Sequence, residues 1–433
     1  MICRQRLFVR MKKWFNRIAP GVFITLVLLY GFLIVRSSIP ATVNDKELQF
    51  PRASIPEDAN AFDVLHKATS HVWWPKEKRD QLDDLLSNTN WDDVLASTAL
   101  ASNRETLACW DAAAKLPDFQ VPESNFDDLV PYLAEWKRLA QVAEVRENVL
   151  LHNGQDKEAF DLIMQHVQLG QQMQNAHGPL IDYLVGTAVL SMGLGQMQHW
   201  VGMTHLTPSQ LNGYIHQLGL NPDKKGTAFA NAIKAEYQWQ IGMLDAMRQG
   251  KITNPDSNNY YPRPRWWLPL YNFSQTKALF AEGDLMLVKA ASHHFNEVNL
   301  PELDSSRPNI VSIYLSGNAV GQILYYMAMP AVIPSLATKS KGDVQLQATR
   351  TILALRAYQL THGNLPPDLS VLVPEFLDAV PVDDFDGQPM RYSMEKKIVY
   401  SVGKNLKDDG GDDRVSPTDY SHRHLDLVYK FDF

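Results

Sequence analysis

Between Ile18 and Val35 the chain reads IAPGVFITLVLLYGFLIV, eighteen residues without a charge. At about 1.5 Å of rise per residue, such a helix just crosses a ~30 Å hydrocarbon core. Arg4, Arg6, Arg10, Lys12, Lys13 and Arg17 precede it, and Trp14 and Phe15 suit the headgroup interface. The positive-inside rule then makes residues 1–17 a cytoplasmic basic tail and residues 18–35 a single-pass anchor, and it places everything after Arg36 outside. That is the topology of a bacterial inner-membrane protein with a periplasmic body. A cleaved signal peptide is the rival reading. Its apolar core would be shorter, however, and Ile39-Pro40-Ala41 puts Ile at the −3 position.

The body beyond the anchor is acidic. The first 36 residues carry seven basic and no acidic side chains, which leaves 34 basic against 48 acidic residues, a net charge of −14. Nucleic-acid binding needs a basic face to replace phosphate counterions, so that function class is excluded. The predicted topology sets Cys3 and Cys109 on opposite sides of the membrane. No disulfide or cysteine-based zinc site follows, and Cys109 reads as a small buried hydrophobe.

A second uncharged stretch runs from Pro308 to Thr338. Ser312, Ser316, Asn318 and Gln322 interrupt it, and Pro330 and Pro334 would break the backbone ladder at depth. It reads as a helix buried in the body or lying on the membrane surface, with a second crossing as the alternative.

Residues 36–55, polar with two prolines, read as a stalk, and residues 56–342 as a helical domain. Helical spacing of Phe62, Val64 and Leu65 predicts a first amphipathic helix over 58–72. Leu133, Trp136, Leu139, Val142 and Val145 predict a helix over 131–152. His152-Asn153-Gly154 turns the chain into a partner helix over 155–176, and this hairpin resembles a tetratricopeptide unit. Further helices are predicted over 179–201 and from Thr207-Pro208 onward. Residues 254–274 read as an ordered irregular loop. Its Trp266, Trp267 and Tyr271 form either an exposed binding patch or the seal of a core.

No catalytic motif occurs: no GxSxG elbow, HExxH, phosphate loop or dinucleotide fingerprint. His293-His294 and His422/His424 are clusters that surface exposure explains, although His422 and His424 would share a strand face. Glu236 is a lone carboxylate without a partner at fixed spacing.

Residues 343–433 read as a small α+β subdomain with an antiparallel sheet. A helix over 343–362 stops at Gly363, and strands follow over 390–393, 398–402 and 425–431. The order AYQLTHGNLPPDLSVLVPEFLDAVPVDDFDGQPMRYS…IVYSVGKNLKDDGG, within residues 343–416, resembles the globular end of the major pseudopilin of type II secretion. That resemblance implies a calcium ion held after the hairpin by Ser401 and by acids among Asp408, Asp409, Asp412 and Asp413. Crowded carboxylates around flexible glycines suit a Ca²⁺ ion, which takes six to eight oxygens. A solvated acidic loop needs no ion, and the EF-hand register is missing.

The family's acid near the start of the anchor is absent, Leu26 standing in its place, so assembly into a pseudopilus is not implied. The layout of anchor, helical body and tail is similar to that of membrane-anchored bacterial envelope proteins and carries no activity with it. The expected role is protein binding or scaffolding among other envelope proteins. A membrane-anchored hydrolase or processing enzyme, and a secretion-apparatus component, are the alternatives.

Overall fold

The computed structural model describes residues 21–50, 55–69, 71–122, 132–220, 226–249, 253–254, 257–260, 270–299, 309–414 and 425–433. In chain order the first helices are α1 (Gly21–Ser38), α2 (Ala61–Thr69), α3 (Arg79–Ser87), α4 (Asp93–Ser102) and α5 (Arg104–Ala113). Then come α6 (Tyr132–His152), α7 (Asp156–Gln174), α8 (Leu180–Trp200), α9 (Pro208–Gly219) and α10 (Thr227–Gln249). The last four are α11 (Phe273–Ala290), α12 (Ile310–Leu315), α13 (Ala319–Val332) and α14 (Ser335–His362). Short strands β1 (Thr253–Asn254) and β2 (Ser257–Tyr260) pair as a hairpin. Strands β3 (Arg391–Ser393), β4 (Ile398–Ser401) and β5 (Leu427–Lys430) form an antiparallel sheet in that order. Two compact units result: Met1–Leu48, Gln240–Leu285 and Pro301–Val332 in one, Gln49–Trp239, Met286–Leu300 and Ile333–Phe433 in the other.

In the first unit, none of the α1 stretch is buried. The helix ends three residues later than expected because the hydroxyls of Ser37 and Ser38 donate to the carbonyls of Ile34 and Val35. The stretch read as a stalk is bound rather than free where it is described: Asp45 pairs with Lys277 at 2.7 Å and Leu48 is fully buried. The uncharged 308–338 stretch breaks at Gly317, whose φ of +78° suits a residue without a Cβ. That break separates the six-residue α12 from the fourteen-residue α13. Of the aromatic candidates in the 254–274 loop, Trp266 and Trp267 lie outside the described residues, and Tyr271 is half-buried.

In the second unit, α6 and α7 fall within a residue or two of their expected bounds, with Gly154 at φ +71° making the turn. Phe62, Leu65, Trp110, Trp136 and Leu139 form one core, and Leu82, Leu85, Leu95 and Val145 a smaller one. Burying each such side chain contributes about 1.5–3 kcal/mol. Cys109 is half-buried against the first of these. Helices α7 and α8 meet backbone to backbone: a Cβ on Gly170 would lie 2.5 Å from the amide nitrogen of Leu190, and one on Gly186 2.5 Å from that of Gln174. A capping box of Thr207 and Gln210 opens α9. Among the described residues, three helical runs are long and apolar enough to cross a membrane, namely α1, α8 and Ala319–His362. Much of α8 is buried in the core, Leu194 and Met197 completely.

Candidate functional site

Helix α14 carries Lys339, Asp343, Gln347 and Arg350 at intervals of four, four and three, which puts them on one stripe. Its other faces pack Val344, Leu346, Ile352 and Leu353 into the core. With His293, His294, Asp378 and Asp384, the stripe lines a cleft of about 400 Å³ in the second unit.

Lys339 is only 5% exposed, and its Nζ lies 2.9 Å from Asp343 and 3.2 Å from Asp384. Burial alone would lower the pKa of this ammonium group. The two carboxylates more than offset that, so the pKa is raised and the charge is held. Asp384 also faces His294 Nδ1 at 3.4 Å. Arg350 donates to the carbonyl of Ile215 in the last turn of α9 and to Gln347. A cation there complements the negative end of the helix dipole. Burial pushes the guanidinium pKa down and Asp378 opposes the shift. Gly219 makes room for it, since a Cβ there would sit 2.8 Å from Arg350 Nη2.

His293 and His294 follow α11; His293 is exposed, as the surface reading expects, His294 is half-buried, and both line the cleft. His293 Nδ1 lies 2.9 Å from the carbonyl of Lys289. A carbonyl only accepts, so this nitrogen carries its hydrogen. Ser292 Oγ, 3.4 Å from the same nitrogen, therefore finds no base there. Glu236 is half-buried, and its Oε2 accepts from the Leu180 amide, capping the start of α8. A wider depression around Trp91 is built from carboxylates already in use: Asp92 caps α4, and Asp84 holds Thr89 and Asn90.

The acidic turn offsets its charge with cations and backbone amides. Ser401 is fully buried, and its hydroxyl donates to Asp383 at 2.8 Å. Asp408 accepts from the Gly410 amide and the Tyr400 hydroxyl, and Asp409 from Asn405. Asp412 forms a fork with Arg414, which holds its carboxyl at about 2, and Asp413 pairs with Lys430 at 2.7 Å. Among the described residues, no group of three or more His, Cys, Asp or Glu side chains comes together to hold a metal ion. His422 and His424 lie outside the described residues.

Two buried aspartates, Asp383 and Asp426, organise this tail, and no local pattern singles out either of them. Asp383 accepts from Ser401 Oγ, the amides of Phe385 and Val402, and Arg391 Nη1 at 2.9 Å. Asp426 accepts from the amides of Asp409, Gly411 and Asp412. Burial raises both carboxyl pKa values against those hydrogen bonds. Comparison with protein-family models, curated proteins and solved structures returns no match.

Proposed function

We propose that this chain is a membrane-tethered envelope protein whose second unit binds a polypeptide segment in the α14 cleft. The observation that carries the reading is the cleft lining itself. Lys339 and Arg350 are held beside Asp343, Asp378 and Asp384, so fixed donors and acceptors of both signs share one concave surface. A polypeptide presents both charges and a regular row of amides and carbonyls, which such a lining matches. The α6–α7 hairpin, turning on Gly154, is similar to a tetratricopeptide unit, a scaffold suited to peptide partners. The wholly exposed apolar surface of α1 supports the tether.

A second reading is a component of a secretion apparatus. The order of long helix, proline step, antiparallel hairpin and acidic turn in residues 335–433 favours it, since that order resembles the head of the major pseudopilin. The hydrolase alternative gains no support from Ser292 and His293.

A photo-crosslinking residue replacing exposed Val382 at the cleft tests the main reading in native membranes. A discrete protein adduct is expected, reduced about tenfold by Arg350→Gln through loss of a charge-assisted contact. An adduct that survives Arg350→Gln in a folded variant moves the binding elsewhere. A cleft that crosslinks to no protein overturns the reading.

A further inference from the structure

We propose that α12 and α13 make a second membrane contact, lying in the headgroup region beside the point where α1 leaves the bilayer. The inference rests on α1 being the membrane-spanning helix. Residues 308–338 contain no charge, yet Ile310 is 70% and Met327 72% exposed, with Val311, Tyr314, Leu315 and Ile323 exposed beside them. Water is a poor neighbour for such a row. At about 1.5 Å per residue, α12 reaches only about 9 Å and α13 about 21 Å, so neither crosses a ~30 Å core alone, and past Val332 the run that continues to His362 is buried in the second unit at Ser335, Leu336, Lys339 and Ser340.

What covers these side chains follows from where they are fastened. Asn318, at the α12–α13 break, accepts through Oδ1 from the Asn272 amide at 2.9 Å and from Thr276 Oγ1 at 3.0 Å. Asn272 Nδ2 in turn donates to the carbonyls of Ser37 at 2.7 Å and Ile39 at 2.8 Å, where α1 ends. Gln275 Nε2 also reaches the Ile39 carbonyl, at 2.8 Å. Gly317 lies directly against Arg36: a Cβ on it would sit 2.6 Å from Arg36 Cβ. Arg36 is the first charge after the apolar stretch and so marks the edge of the hydrocarbon. Helix α12 therefore ends, and α13 begins, at the depth of the interface. Apolar side chains there bury about 5–10 Å into the boundary between headgroups and acyl chains, and Tyr314 suits that level. The lipid surface is the occupant because the break between these two exposed helices is fastened to the end of the anchor.

The test uses the full chain with Cys3 and Cys109 replaced and a single environment-sensitive fluorophore on Ile310→Cys or Met327→Cys. Leu28→Cys in α1 and Val94→Cys on an exposed part of the second unit serve as references. The protein is reconstituted in vesicles of phosphatidylethanolamine and phosphatidylglycerol containing lipids spin-labelled either near the headgroup or deep in the acyl chain. Positions 310 and 327 should be quenched most by the shallow label, position 28 by the deep one, and position 94 by neither. Quenching at 28 with none at 310 and 327 overturns the second contact and leaves the anchor standing. No quenching at 28 overturns the anchor reading itself. A blue-shifted but unquenched signal at 327 that grows with the protein-to-lipid ratio shows a second copy covering the face and also overturns the proposal.

Discussion

Glu144 shows how one residue links packing to pH. Burial pushes its carboxyl up to about 7, against a hydrogen bond from Gln196, with Glu147 adding to the rise and His166 opposing it. Between the ordinary carboxyl value and about 7, the folded chain holds a proton that the unfolded chain has lost. Stability therefore falls as pH rises through that window, by roughly 3 kcal/mol for a gap of this size. Denaturant titrations at about pH 5 and about pH 8 should show this slope, and Glu144→Gln should flatten it and stabilise the protein at the higher pH. A slope unchanged in the variant would assign it to another group. The acidic tail invites a second measurement at this scale. Because Arg414, Lys430 and backbone amides already offset the turn, excess calcium and chelator are expected to leave the melting curve of the full chain unchanged. A calcium-dependent rise in melting temperature, lost in a variant with both Asp408→Asn and Asp409→Asn, would instead establish the ion.

The elements depend on close approach as much as on periodicity. Alanine is the better helix former, so the sequence alone predicts that Gly170→Ala stabilises α7. The α8 backbone at Leu190 leaves no room for the methyl group. The expected outcome is a loss of about 1–3 kcal/mol by chemical denaturation, because the two helices must separate. A neutral or stabilised variant would mean that this contact yields freely. Helix α14 shows the same dependence on its surroundings. It begins eight residues before the expected 343, because α13 ends at Val332 and Ser335 restarts the helix after a turn. The earlier start brings Lys339 into the helix and completes the polar stripe.

For the whole molecule, the exposed α1 predicts membrane association that survives high salt and ends with detergent. With a single crossing, a periplasm-active reporter fused after Phe433 should be active and a cytosol-active one silent. The reverse result would require a second crossing and would move the cleft and the acidic tail to the other side. By itself the sequence determined the apolar helix near its start, the positions of α2, α6, α7 and α8, the beginning of α9, the Gly154 turn and the three strands of the tail. Each of these is set by spacing or turn chemistry within a few residues. The 4-4-3 spacing of Lys339, Asp343, Gln347 and Arg350 was visible too, but nothing local says that a polar stripe faces a cleft rather than solvent. Only the tertiary structure decided that His293, Asp378 and Asp384 join it, that Asp383 and Asp426 are the buried acids, and that Asn272 fastens the end of α1. The physical reason is distance along the chain: Asn272 and Ser37 are 235 residues apart. What a buried polar group costs or contributes depends on neighbours that only folding supplies.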